Sequence, residues 1–254
     1  MKNKVAFITG AGGYIGGETA VALAKQGVKI AVCDINAETV AKTVQKIEAL
    51  GGVAKGYIVD VTDSKSVNET VNQVVQDFGS LDISVHIAGG SARIAGKTAK
   101  YVPIIEQDDY VIDTVLKVNL YGAIWVSRAA ARQMIKQGTG GKIINFSSAI
   151  AFNGLATCTD YAASKGGVVS FTKSFAKEMG PYKINVNSVA PGIVQRPEEQ
   201  NEESARKTNF LGEQCLASDV ANLVEFLVSD KARFITGQTY VIDGGRGLAM
   251  KGSD

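Results

Sequence analysis

The sequence predicts a single α/β domain built on a doubly wound, seven-stranded parallel sheet, and three observations carry that expectation. Short apolar runs alternate along the chain with longer segments of helical apolar periodicity. The first run ends in a glycine-rich turn, Gly10-Ala-Gly12-Gly13-Tyr14-Ile15-Gly16-Gly17, and a helical pattern follows directly. At 254 residues and 45% hydrophobic content the chain can fill one large core but has no room for a second domain. Residues 1–254 are therefore expected to form a single domain.

The elements follow in order. Val5–Thr9 reads as the first strand, and Thr19-Ala-Val-Ala-Leu-Ala-Lys-Gln-Gly27 as a helix with its glycine stop. Lys29–Asp34 is a second strand, with a helix near 37–50 after it. Ala54–Val61 and Leu81–Ile87 are the third and fourth strands, separated by a helix near 64–78; the fourth runs into Ala88-Gly89-Gly90. A long helix near 108–136 precedes the fifth strand, Lys142–Ser147, and a helix near 160–179 precedes the sixth, Ile184–Val189. A helix near 218–228 and the strand Gln238–Ile242 complete the alternation. The one linker-like stretch is polar, from Arg196 to Asn209.

Glycines between the first strand and its helix let the backbone approach a pyrophosphate, whose charge is met by free amides and the positive end of the helix dipole. A lone glycine cluster also serves as a plain tight turn. The second strand adds information, because it ends in an acid, Asp34, 18 residues beyond Gly16. A carboxylate at that place accepts hydrogen bonds from a ribose diol and repels a 2′-phosphate. Asp34 could instead cap the helix that starts near Ala37. Asp60 and Val61 end the third strand and Ala88 and Gly89 follow the fourth, so all these strand ends face one crevice.

Chemistry enters with Ser148, Tyr161 and Lys165. Of the eight tyrosines only Tyr161 has a Lys or Arg four places downstream, and the apolar positions Val168, Phe171, Thr172, Phe175, Ala176 and Met179 mark a helix through the region. Tyr161 and Lys165 should share a helix face. An ammonium beside a phenol favours the phenolate and lowers a pKa otherwise near ~10, which makes proton exchange at neutral pH feasible.

Together, Thr9-Gly10 with Gly16, Asp34, Asp60-Val61, Ala88-Gly89, Asn119, Ser148, Tyr161-x-x-x-Lys165, Pro191-Gly192 and Asp243-Gly244-Gly245 resemble the short-chain dehydrogenase/reductase family, single-domain type. The resemblance runs from about residue 3 to residue 247, and it implies a Rossmann-type sheet, an NAD cofactor and interconversion of a secondary alcohol and a ketone. It assigns Tyr161 as acid/base, Lys165 as the group that lowers its pKa and bonds the nicotinamide ribose, and Ser148 as the group that polarises the substrate oxygen. Asn119 would position Lys165 through a water. The cofactor would be held by Gly10, Gly13, Tyr14, Ile15, Gly16, Asp34, Ile35, Asp60, Val61, Ala88, Gly89, Pro191, Gly192 and Val194, together with Tyr161 and Lys165. The family also implies a homotetramer paired through the helices near 108–136 and 160–179 and through the C-terminal strand.

Three positions depart from the family pattern. Tyr14 stands where the middle glycine is usual, a spelling similar to that of the longer sugar-nucleotide epimerases. Ile87 replaces the asparagine of Asn-Ala-Gly and loses an amide expected to tie the fourth strand to its neighbour. Arg196 stands where a threonine commonly meets the nicotinamide carboxamide, leaving Gln195 or the Ile193 and Val194 backbone as substitutes.

Composition excludes other classes. A net charge of +2 without a long basic run gives no nucleic-acid surface. No apolar run approaches ~18–20 residues and the first strand begins at once, so a cytoplasmic protein with reduced thiols and no membrane partner is expected. One histidine, His86, and three scattered cysteines, Cys33, Cys158 and Cys215, offer no metal-ligand spacing. His86 is expected to be a packed or cofactor-side residue.

Substrate choice should lie in three segments: Ser91–Gln107 with Arg93, Lys97 and Lys100; Ala149–Asp160 with Asn153 and Thr157; and a lid near 193–212 with Arg196, Glu198, Glu199, Gln200 and Asn201. Their polarity leans toward a polyol, sugar derivative or hydroxy acid. Alternatives within the same chemistry are a 3-oxoacyl-carrier-protein or a steroid as substrate. An NAD-using epimerase or dehydratase, or a dinucleotide-binding regulator without chemistry, are the alternatives outside it. The tail from Leu248 to Gly252 could reach a neighbouring subunit's pocket or remain disordered.

Overall fold

A computed structural model describes residues 1–96, 102–196, 203 and 208–248. Seven strands form one sheet in the order β3-β2-β1-β4-β5-β6-β7: β1 Val5–Thr9, β2 Lys29–Asp34, β3 Ala54–Ile58, β4 Ile83–His86, β5 Gly141–Phe146, β6 Ile184–Pro191 and β7 Thr239–Ile242. Every neighbouring pair is parallel. β1 registers with β2 on one side and with β4 on the other, so the order reverses there. The crevice beyond the carboxyl ends of β1 and β4 is the natural ligand position in such a sheet.

Period-two alternation explains how the sheet is covered. Along β1, Val5 and Phe7 enter one core while Ala6 and Ile8 enter the other, and all four are buried. The first core is closed by α3 (Ser64–Phe78), α5 (Gly122–Gln137) and α7 (Thr159–Met179). The second is closed by α1 (Tyr14–Lys25), α2 (Ala37–Ala49) and α8 (Ala217–Val228). In α3 the inward stripe is Val67, Val71 and Val74, the spacing of one helix face.

Strand and helix boundaries agree with the sequence pattern to within a few residues. The third strand ends at Ile58 instead of Val61, because Asp60 turns the chain: its Oδ1 accepts from the Thr62 amide at 2.9 Å and the Thr62 hydroxyl at 2.7 Å. The long helix expected over 108–136 is interrupted. α4 runs Asp109–Leu116, a π-helical turn spans Lys117–Tyr121, and α5 resumes at Gly122. A short α6, Ile150–Asn153, follows β5. Among the described residues no helix is long and apolar enough to cross a membrane.

Candidate active site

Four side chains converge where β4, β5 and β6 end. Ser148 lies just past β5, with its Oγ 3.4 Å from the Pro191 carbonyl at the end of β6. Its hydroxyl also accepts from the Ile150 amide at 3.4 Å, and it acts on the Tyr161 phenol in the direction that favours the phenolate. Tyr161 and Lys165 stand one turn apart in the first half of α7, with Lys165 Nζ 5.8 Å from the tyrosine ring centroid. Lys165 is 3% exposed, and its Nζ donates to the Phe146 carbonyl at 2.8 Å.

The π turn explains Asn119. Widening the helix by one residue carries this side chain into the core, fully buried, where its Oδ1 accepts from the Gly90 amide at 2.9 Å. Its Nδ2 donates to the Gly90 carbonyl at 2.8 Å and to Ser164 Oγ at 3.1 Å. Ser164 in turn donates to the Tyr161 carbonyl at 2.7 Å. Asn119 therefore pins the loop after β4 to the helix that carries Tyr161 and Lys165. Gly89 completes the seam: a Cβ there would stand 2.4 Å from Asn119 Oδ1 and 3.2 Å from Lys165 Nζ.

Burial governs protonation in this cluster. Removal from water pushes the Lys165 ammonium down to about 8. The Tyr161 phenol is pushed above its ordinary value, since desolvation outweighs the influence of Ser148, which favours the phenolate. This corrects the expectation that Lys165 alone sets the tyrosine low. The lysine donates to the Phe146 carbonyl, and burial dominates the balance at the phenol.

Several neighbours carried no sequence signal. Ser147 Oγ donates to the Lys165 carbonyl at 2.8 Å, fixing the helix over the end of β5. Asp160 is buried, its Oδ1 accepting from the Tyr161 amide at 2.7 Å. His86 is buried in β4, with Nδ1 2.8 Å from Thr9 Oγ1. Desolvation, with the nearby Lys165 charge, lowers its pKa to about 3 and keeps it neutral. The loss of an asparagine at Ile87 is thus offset: the Thr9–His86 pair and the Ile87 amide, which donates to the Thr9 carbonyl at 3.1 Å, still tie β4 to β1.

On the other side of the switch point lies an open cavity of ≈ 420 Å³, lined by Gly12, Gly13 and Tyr14 from the turn, by Asp34, Asn36 and Thr39, and by Arg196. Gly16 is required by packing, since a Cβ would fall 2.1 Å from the Gly10 carbonyl oxygen. Gly10, at φ +72°, would bring a Cβ within 2.6 Å of the Ala88 amide, which couples the turn to the loop after β4. The local bonds rule out Asp34 as the cap of α2. Asn36 caps α2, accepting from the Glu38 and Thr39 amides at 3.0 and 3.1 Å. Asp34 accepts from the amides of Gly12 at 3.1 Å and Asn36 at 3.3 Å, and its carboxylate lines the cavity. A carboxylate held there by two amides, beside glycine backbone open to the cavity, fits the ribose and pyrophosphate of a dinucleotide.

The remaining candidates divide by place. Ile15 packs against the second core, Val61 is buried, and Ile35 is 69% exposed beside Asp34. Pro191 ends β6, and Gly192 donates to the Ile242 carbonyl at 2.9 Å in a space that a Cβ would lose to Asp243. Val194 bridges to Cys215. Lys97, Lys100, Glu198, Glu199, Gln200 and Asn201, and with them half of the lid near 193–212 and the tail past Leu248, lie outside the described residues.

A doubly wound sheet with a glycine-lined cleft at its switch point, beside a Ser-Tyr-Lys-Asn cluster whose lysine and asparagine are buried, defines a class, the nicotinamide-dependent oxidoreductases. Comparison with known proteins narrows it. A family model described as enoyl-(acyl carrier protein) reductase matches residues 10–246. The 3-oxoacyl-[acyl-carrier-protein] reductase of Thermotoga maritima is 38% identical over 250 residues, covering 96% of this chain and 98% of that protein. The cyclohexanol dehydrogenase of an Acinetobacter species is 38% identical over 247 residues, covering 96% and 95%. The crystal structure of acetoin dehydrogenase from Enterobacter cloacae superposes with a TM-score of 0.89 at 29% identity, covering 99% of this chain and 98% of that one. The chain belongs to the short-chain dehydrogenase/reductase family.

Proposed function

We propose that the protein is an NAD(H)-dependent dehydrogenase or ketoreductase that interconverts a secondary alcohol and a ketone, with Tyr161 as its acid/base. One observation carries this reading: the Tyr161 ring stands 5.8 Å from the ammonium of the buried Lys165, one helical turn away on α7. Bound nicotinamide supplies or accepts the hydride. Everything else falls to the chain. Ser148 and Tyr161 hold the substrate oxygen by two hydrogen bonds, which polarise it without a metal. In oxidation the Tyr161 oxygen takes the alcohol proton, and in reduction it returns one. Lys165 keeps positive charge beside the phenolate, and Asn119 fixes Lys165 and its loop relative to one another.

Asp34 favours NAD over NADP, because a 2′-phosphate would enter the cavity against its carboxylate. The glycine turn, Ile35, Asp60, Val61, Ala88, Gly89, Pro191, Gly192 and Val194 complete the dinucleotide cleft in this reading.

The substrate we favour is a small molecule with polar substituents. Tyr161 packs against the buried cluster Ala92, Val111 and Val115, so the carbinol end meets hydrocarbon, while Asn153, in the segment between Ser148 and Tyr161, offers an amide to polar groups. A second reading, reduction of a 3-oxoacyl group, draws on the Thermotoga relative and on the same apolar wall. Turnover on a panel of polyols, hydroxy acids, hydroxyketones, steroids and 3-oxoacyl thioesters, followed by NADH absorbance, separates them. Activity confined to the thioesters or steroids would overturn the polar assignment. A cytoplasmic homotetramer completes the proposal; the exposed apolar side chains of Phe226, Phe234 and Val241, at or near β7, are consistent with association, and light scattering tests it.

A further inference from the structure

The glycine turn and the start of α1 carry no basic side chain. From Gly10 to Ala24, across the whole turn and most of α1, there is no Lys or Arg, and Glu18 adds a negative charge. The amides of Tyr14, Ile15 and Gly16 precede the first intrahelical bond, which runs from Gly17 to the Gly13 carbonyl at 2.7 Å, and no side chain caps the helix. These amides and the helix dipole offer about half a unit of positive charge. A diphosphate brings two negative charges, and Asp34 adds a third to the same cavity. Arg196 is the sole basic side chain among the residues that line it.

How Arg196 arrives there follows from the fold. β6 ends at Pro191 on the same edge of the sheet as the switch point, and the parallel bridge between Val194 and Cys215, with the Gln195 amide donating to the Cys215 carbonyl at 3.2 Å, holds the chain just before Arg196. Arg196 therefore lines the cavity together with Gly12, Gly13 and Tyr14 of the glycine turn. A planar, permanently charged donor suits two phosphate oxygens at once, as the neutral hydroxyl expected at this place in the family would not.

We propose that Arg196 is an anion-binding residue of the cleft, holding the diphosphate of the dinucleotide against the first turn of α1. The proposal rests on the dinucleotide reading of the site. Isothermal titration of the unmodified protein, Arg196→Ala and Arg196→Lys with NAD⁺, ADP-ribose, adenosine and NADP⁺ tests it; the side chain is exposed, so both variants should fold. The expected result is that Arg196→Ala weakens NAD⁺ and ADP-ribose about ten-fold or more and leaves adenosine unchanged, with Arg196→Lys intermediate. Added salt should weaken NAD⁺ binding less steeply in the alanine variant. Equal affinities for NAD⁺ in the unmodified protein and Arg196→Ala would overturn the proposal and leave the dinucleotide reading standing. A loss confined to NADP⁺ would also overturn it, assigning the guanidinium to a 2′-phosphate. Failure of the unmodified protein to bind either dinucleotide overturns both.

Discussion

The two sides of the switch point are built from opposite materials. The dinucleotide side is backbone and open space: glycines at which a Cβ would clash, amides without intrahelical partners, and Asp34 held by the Gly12 and Asn36 amides at the surface of a cavity. The catalytic side is buried side chains, with Lys165 and Asn119 almost wholly removed from water and Tyr161 pressed against an apolar wall. Shape dominates the first, and the second works by shifted protonation. Substitutions should therefore separate cleanly, with catalytic changes sparing cofactor binding and cleft changes sparing the chemistry.

The strongest way to break that separation is Tyr161→Phe. It removes one hydroxyl from the buried side and nothing from the cleft. Turnover should fall by roughly 10²–10⁴, the usual contribution of a general acid or base, while NAD⁺ affinity by titration stays the same. Full activity in this variant would refute the assigned acid. On the other side, Asp34→Ala should raise the ratio of kcat/KM for NADPH over NADH by about ten-fold or more, because a like charge facing the 2′-phosphate is removed. Turnover at saturating NADH should be unchanged.

How much of this difference could be read from the sequence follows from the same contrast. Glycine turns, strand ends and the Tyr-x-x-x-Lys spacing are local, so backbone chemistry and helix geometry expose them directly. Asp34 left two readings open, and only the placement of Asn36 as the cap of α2 released it. The π turn at Lys117–Tyr121 has no comparable signal. No proline or glycine lies inside it, and a rare helical form there depends on Gly90 and Ser164, distant in sequence, which bond Asn119. The pKa balance was also out of reach, since it depends on how deeply α7 sits. His86 illustrates both limits: its strand was legible, but its bond to Thr9 was not.

Protonation sharpens the contrast on the catalytic side. With Lys165 near 8 and the phenol above its ordinary value, the first proton to leave the pair should come off near pH 8. Alcohol oxidation needs a base at Tyr161, so its kcat/KM should climb as pH rises through this region. Carbonyl reduction needs the acid, which the phenol retains through this range because its pKa is raised, and should decline only at higher pH. In Lys165→Met the midpoint of the oxidative limb should move to higher pH, since a buried phenol without an ammonium holds its proton longer. A pH–rate profile that keeps its limb near 8 in this variant would show that another group titrates there.

The smallest effect tests the seam where the two regions touch. Gly89 lies in the loop after β4, beside the cleft, and its missing Cβ is the space occupied by Asn119 Oδ1. Gly89→Ala must push Asn119 or the loop aside, at a cost of about 1–3 kcal/mol for overpacking, or a drop of roughly 2–10 °C in Tm for a domain of this size. Gly166 gives the matched control. It sits in α7 next to Lys165, yet a Cβ there would meet nothing within 4 Å. Gly166→Ala should raise Tm slightly, by removing conformational freedom from the unfolded chain in a position already helical. Thermal melts of the two alanine variants should therefore move in opposite directions. If both rise, Asn119 can give way at no cost, and the catalytic side is less tightly locked to the cleft than the bonds to Gly90 imply.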